Sequence, residues 1–252
     1  MKMYRADLHI HTVLSPCGSL EMSPEQIVEE AIAKGLDMIA ITDHNSTRQC
    51  KAVIDAGRDR GLKVIGGAEV NTREEVHCLA LFEDIETLDV FQAYLDEFLP
   101  DIPNNPDTFG HQVWVNRKEE IEGEEPRLLL SGLEQSIEDV ERKVHSLDGL
   151  FIPAHVDRPM YGIFSQLGFI PDTLHCDALE VTTNAKDVFF ESTKIRDRYP
   201  IISNSDAHHL DMIGNGFTSF LMENPTFTEL KKAIIKMKVE NEKKIIPGGF
   251  KN

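Results

Sequence analysis

The chain has 252 residues, 41% apolar and 27% charged, and carries a formal net charge of −17. Those proportions fit a soluble globular protein, and no apolar run reaches the roughly 18 residues needed to span a bilayer. Such acidity repels long nucleic acid, except where a local cation, side chain or metal, reverses the field.

The first strand ends in "RADLHIHT", residues 5–12. A strand sends every second side chain to one face, so Asp7, His9 and His11 are expected on one side. "SPEQ" at 23–26 reads as a helix start, with Ser23 as cap and Pro24 in the first turn. Ile27, Val28, Ala31 and Ile32 supply its apolar stripe, and Gly35 ends it. "DMIAIT" at 37–42 is a buried strand, a helix fills 46–60, and "LKVIGG" at 62–67 is the next strand. "EVHCLAL" at 75–81 reads as a strand and 87–98 as an amphipathic helix.

Residues 100–127 break the rhythm with four prolines, Pro100, Pro103, Pro106 and Pro126, and an acidic run at 119–125. This excursion is expected to be a solvated loop with a short strand at "HQVWV". Its Trp114 and Gln112 serve either as a lid or as packing. The alternation then resumes: helix 134–147, strand 149–154, a short helix near 160–167, strand 178–183, helix 187–198, strands 200–205 and 216–222, and helix 227–239. "KKIIPGG" closes the chain. Repeated strand–helix units with continuous apolar strands predict an α/β fold on a parallel sheet. About seven units point to one domain, residues 1–252, closed or nearly closed into a barrel. No G-x-G-x-x-G follows the first strand, which weighs against a dinucleotide site.

Active sites of such barrels lie where the strands end. Those ends carry Asp7, His9 and His11; Asp43 and His44; Glu69; His77; His155, Asp157 and Arg158; and Asp206 and His208. Six of the ten histidines fall there. Imidazole with carboxylate suits zinc, manganese or iron. So many donors exceed the needs of one ion, so two or three divalent ions with shared ligands are expected. Such a cluster acidifies a bridging water and clamps phosphate oxygens. Asp7 and Asp43 are read either as carboxylates that orient the imidazoles or as simple turn residues, the first being preferred. Arg158 is read as a fork for a substrate phosphate, or as a partner of Asp157. Arg48 and Arg73 also follow such ends. His209, beside Asp206 and His208, is expected to point away, and His111, His145 and His175 match no motif.

"DLHIHT", "ITDHN", "GAEV", His77, "AHVDRP" and "SDAHH" together resemble the motifs of the PHP (polymerase and histidinol phosphatase) family of metal-dependent phosphoesterases, in order and over nearly the whole chain. The resemblance implies a distorted (β/α)7 barrel of the TIM-like type with a trinuclear centre at its C-terminal mouth. It assigns His9, His11, Glu69 and Asp206 to a first ion, and Glu69, His77 and His155 to a second. A third would sit on His44, His208 and position 17. Many relatives have histidine there, whereas this chain has Cys17. Either Cys17 supplies a thiolate, which favours zinc over manganese, or the third site fills only with substrate. The reading adopted is a thiolate.

The expected activity is hydrolysis of a phosphomonoester of a small metabolite or nucleotide by a metal-bridging hydroxide. Rival readings are release of terminal nucleotides from short oligonucleotides, amidohydrolase chemistry on a similar barrel, and a degenerate metal-binding module. Amidohydrolases commonly bridge two metals with a modified lysine, where this chain offers Glu69. Charged residues from Arg5 to His11 interrupt any signal-peptide core. The chain is therefore expected to be cytoplasmic, with Cys17, Cys50, Cys78 and Cys176 as free thiols.

Overall fold

A computed structural model describes residues 1–245, with side chains as far as Lys238. β1 (Lys2–Ile10) is followed by α1 (Pro24–Ala33), β2 (Met38–Ile41), α2 (Cys50–Arg60), β3 (Lys63–Asn71), β4 (His77–Phe82) and α3 (Ile85–Phe98). Next come α4 (Pro106–Phe109), β5 (Val113–Val115), β6 (Ile121–Glu124), α5 (Ile137–Ser146), β7 (Leu150–Pro153) and α6 (Ile163–Gln166). The chain continues through β8 (Leu179–Glu180), α7 (Asp187–Thr193), α8 (Ile195–Arg198), β9 (Ile201–Ile202), a 3-10 turn at Leu210–Met212, β10 (Thr218–Met222) and α9 (Phe227–Ile245). Of "KKIIPGG", everything past Ile245 lies outside the described residues.

The α/β class and the barrel-like curl are as expected, but the sheet is mixed rather than parallel. Its order is β10-β1-β2-β3-β4-β7, and only the β1–β2 and β2–β3 pairs are parallel. The cause is local. Residues 72–76 are too few for a crossover, so β4 folds straight back on β3, which lengthens to Asn71 to pair with it. Single hydrogen bonds carry the wrap further. Asp177 N–H donates to Phe151 O and Val156 N–H to Glu180 O, linking β7 to the β8–β9 pair. A bridge from Ala207 to Ile10 then returns to β1. The Asn204 side chain fills the remaining gap, accepting from Leu8 N–H at 2.9 Å and donating to Glu180 at 2.7 Å.

Inside the curl, Leu8, Met38, Ile65, Leu79, Ile152 and Phe220 form an apolar cluster. The stripe Phe227, Leu230 and Ile234 of α9 belongs to the same cluster. A second cluster packs the outer sheet face against the surrounding helices. Among the described residues no helix is long and apolar enough to cross a membrane.

Several local expectations change. Ser23 makes no capping bond; its hydroxyl donates to Glu119 instead. α2 starts at Cys50, because Gln92 holds the preceding turn through Thr47 N–H and its hydroxyl. The acidic run is no simple loop: residues 121–124 form β6, paired with β5, and Glu125 is buried beside Arg127. The segment 187–198 is two helices, broken at Lys194 with φ 55°. Phe190 and Ile195, both buried, lie about 140° apart on a continuous helix, so one straight helix could not bury both. The hairpin is packing rather than a lid. Gln49 pairs with both N–H and C=O of Val115, Gln112 is buried, and Trp114 lies against Gly123.

Candidate metal centre

The strand ends converge on Glu69, at the end of β3. Its Oε1 lies 2.9 Å from His77 Nδ1, 3.0 Å from His155 Nε2 and 3.3 Å from His9 Nε2. Its Oε2 lies 3.1 Å from His44 Nδ1 and 3.3 Å from His11 Nε2. Asp206 Oδ1 is 3.3 Å from the Nε2 atoms of both His9 and His11. The sulfur of Cys17 groups with His11, His44 and His208, their donor atoms within 4.8 Å of one another. The nine residues singled out as ligands thus meet in one place. Three overlapping groups share members: His9, His11, Glu69 and Asp206; His44, Glu69 and His77; and the cysteine set. Of the mouth's residues, Asn45, His155, Tyr161 and Asp206 hold positive φ without being glycine, so backbone strain gathers here.

The electrostatics are those of a site built for cations. Burial opposes ionisation of Glu69, yet the imidazoles of His77, His9 and His44 hold it well below the usual carboxylate range. Burial opposes a charge on His11 too, but the carboxylates of Asp206 and Glu69, each 3.3 Å from its Nε2, raise it to about 9. His44 is pushed well down by burial, and His208 down to about 4 by burial and the nearby His11. Cys17 is an exposed residue at the mouth, and desolvation there together with Glu69 pushes its thiol up to about 12. The Nε2 atoms of His9 and His11 face each other at 3.2 Å. His44 Nδ1 and Asp206 Oδ1 are buried without a hydrogen-bond partner. Unpaired buried polar atoms are costly, and here they point among other lone pairs. The donor set fits divalent ions.

The two supporting carboxylates differ from expectation. The register with β2 shifts between Asp7 and Ile10, which breaks the alternation of faces. Asp7 turns away and accepts the N–H groups of Ser205 and Gly214; burial raises it to about 6. Asp43 accepts from Thr12 and Ser15, and reaches an imidazole only through Ser15, whose hydroxyl meets His11 Nδ1 at 3.0 Å. The carboxylate that does orient an imidazole is Glu180 of β8, which holds His9 Nδ1 at 3.0 Å. It also accepts from His155 N–H at 2.9 Å. Its signal in the sequence is a lone charge inside the apolar strand "ALEVTT".

Arg158 does not pair with Asp157, which accepts from Thr182 instead. Its Nη1 lies 2.6 Å from Asp206 Oδ2, and it lines a cavity of about 350 Å³ above the cluster. None of residues 100–127 lines that cavity, nor do Arg48, paired with Asp96, and Arg73, paired with Glu74. His209 and His175 are exposed, His111 pairs with Glu124, and His145 pairs with Asp177. Cys50, Cys78 and Cys176 are buried free thiols.

A curled α/β sheet thus gathers imidazoles and carboxylates at its strand ends, a donor set that fits divalent metal ions. The chain belongs to the PHP domain family, whose pattern matches residues 7–156, and a PHP-associated region matches residues 195–239. The uncharacterized protein YqxK of Bacillus subtilis is 27% identical over 98% of this chain and 65% of its own length. The lesion-specific endonuclease PfuEndoQ of Pyrococcus furiosus shares the fold with a TM-score of 0.70 at 23% identity, over 92% of this chain and 56% of that one. A structure of Endonuclease Q with a 27-mer duplex carrying an abasic lesion gives 0.71 at 23%, over 93% and 57%. A putative metal-dependent phosphoesterase of Bifidobacterium adolescentis gives 0.61 at 17% identity, over 92% and 96%. The chain thus spans about two thirds or less of the length of YqxK and of Endonuclease Q.

Proposed function

We propose that the protein is a phosphoesterase that releases phosphate from a phosphomonoester of a small metabolite or nucleotide, using two or three divalent ions. The observation that carries this is Glu69, whose two oxygens face different imidazoles: His77 and His155 on one, His44 and His11 on the other. That is the placement of a carboxylate shared between ions. His9, His11, Glu69 and Asp206 would hold one, Glu69, His77 and His155 a second, and His44, His208 and Cys17 a third. Zinc, manganese or iron bound there would acidify a water and neutralise charge on a phosphoryl group. Cys17 would ligate as thiolate, its proton displaced by the ion. Glu180 fixes the tautomer of His9 by accepting from Nδ1, leaving Nε2 free. Arg158, at the rim, would meet a phosphate oxygen on giving up Asp206.

A small substrate is favoured over long nucleic acid because, among the described residues, Arg158 is the one lysine or arginine lining the cavity. Gripping a duplex backbone takes several. Among the described residues no lysine lies in the cluster, where an amidohydrolase would bridge its metals; Glu69 does. Because ligands run from His9 to His208, the whole chain is proposed to act as one unit.

The test is phosphate release from a panel of phosphomonoesters, with a lesion-bearing duplex and short oligonucleotides alongside. Metal-stripped protein is compared with protein reloaded with manganese or zinc. Metal-dependent release from small esters, with the duplex untouched, is expected. Cleavage of the duplex alone, or silence from protein holding two ions, would overturn the reading.

A further inference from the structure

The ion pair of Arg158 with Asp206 stands between two cavities, both of which these residues line. The smaller, about 270 Å³, is walled by the hydroxyls and amides of Thr182, Thr183, Asn184 and Asn204. The larger, directly over the cluster, is walled on its outer side by Leu130, Pro159, Met160 and Tyr161. The mouth is therefore polar on one flank and apolar on the other.

The apolar flank is built, not incidental. Tyr161 lies parallel to His77, ring centroids 4.4 Å apart and planes 14° apart. Its carbonyl accepts the His77 N–H at 2.9 Å. Its φ of 60° is one that a bulky residue keeps only where the surroundings impose it. The turn beneath is wound so tightly that a Cβ on Gly162 would come within 2.8 Å of Arg158 O. Leu130 is anchored in turn, its carbonyl accepting from the Asn71 side chain at 3.0 Å. Yet Met160 remains 65% and Tyr161 40% exposed, beside a cluster of charge. Strained backbone that presents apolar side chains to a cavity signals a ligand that covers them.

We infer that this flank receives the organic group of the ester, and that the group presents a flat ring with apolar faces, the base of a nucleoside or an aryl group, rather than being a sugar or polyol alone. The inference rests on the phosphoesterase reading above and adds the class of leaving group. A flat ring finds an aromatic edge and a thioether to lie against. A polyol placed there would leave its hydroxyls unpaired, and the polar cavity beyond Arg158 would suit it better. Met160 and Tyr161 are then the residues that set specificity.

The test compares manganese-loaded protein on phenyl phosphate, a nucleoside monophosphate and glycerol phosphate. The native protein is expected to favour the ring esters by about tenfold or more in kcat/KM. Met160→Ser and Tyr161→Ala lower that ratio about tenfold, chiefly through KM, and Tyr161→Phe keeps it. A nucleotide preferred over phenyl phosphate names the ring as a base, and the reverse names an aryl group. Equal rates on ring and polyol esters, or equal losses on both in the variants, overturn the subsite. Should native protein hydrolyse none of the three, the phosphoesterase reading falls separately. Calorimetric binding of phenylphosphonate against methylphosphonate then decides the subsite. A preference for the phenyl compound that Met160→Ser abolishes upholds it, and equal or absent binding removes it.

Discussion

His9 can turn Nε2 toward the cluster because Glu180 occupies its other ring nitrogen. Glu180 is itself fixed by His155 N–H and by the Asn204 amide, so ring, carboxylate and strand ends form one network. Partners of this kind tune metal affinity through the basicity and aim of the ligand. Glu180→Gln keeps the shape and removes the charge. It is expected to weaken metal binding by roughly 10- to 100-fold, read by competition with a chromophoric chelator, with circular dichroism as a check on folding. Unchanged affinity in a folded variant would remove Glu180 from the metal centre. Asp7→Asn serves as the contrast: its carboxylate ties Ser205 and Gly214 rather than an imidazole.

Between elements, one seam of the curl without a regular ladder is the junction of β7 and β8. Asp177 spans it, its backbone N–H donating to Phe151 O while its carboxylate accepts from Phe151 N–H and from His145 on α5. The hydrogen bond to Asp177 raises the pKa of His145, against partial burial and with help from Glu141. A folded-state pKa above the unfolded one means a contribution fully present below about 6.5 and lost as pH rises through the folded value. His145→Ala should therefore lower Tm more near pH 6 than near pH 9, followed by circular dichroism melts. An equal drop at both would mean that His145 contributes packing and no charge.

For the molecule as a whole, the cluster sets lone pairs against one another inside a chain of net charge −17. Ions bound only by the folded state stabilise it by about 2.7 kcal/mol at a concentration 100 times Kd. For a chain of 252 residues that is roughly 5–10 °C in Tm. Chelation should lower Tm by that order, and manganese or zinc should restore it, as calorimetry would show. A Tm indifferent to chelator would argue against ions in this site.

The strand ends were legible because chemistry and position coincided. Asp-x-His, Glu69 and His155 each close an apolar run, and a barrel brings such closings together; His77 instead opens one, and reaches the same mouth because β4 runs antiparallel. The helices from α1 to α3 were legible too, through apolar stripes bounded by Pro24, Gly35 and Gly61. Local patterns of this kind depend on neighbours within a few residues, so the sequence alone determined the α/β class, the cluster's membership and its order. Only the tertiary structure decided the rest. It turned β4 antiparallel, swung Asp7 away at a register shift, matched Glu180 to His9 across 171 positions, locked Arg158 on Asp206, and laid Tyr161 on His77. Each of those depends on partners far apart in the chain, and no periodicity encodes which distant strand a side chain will face.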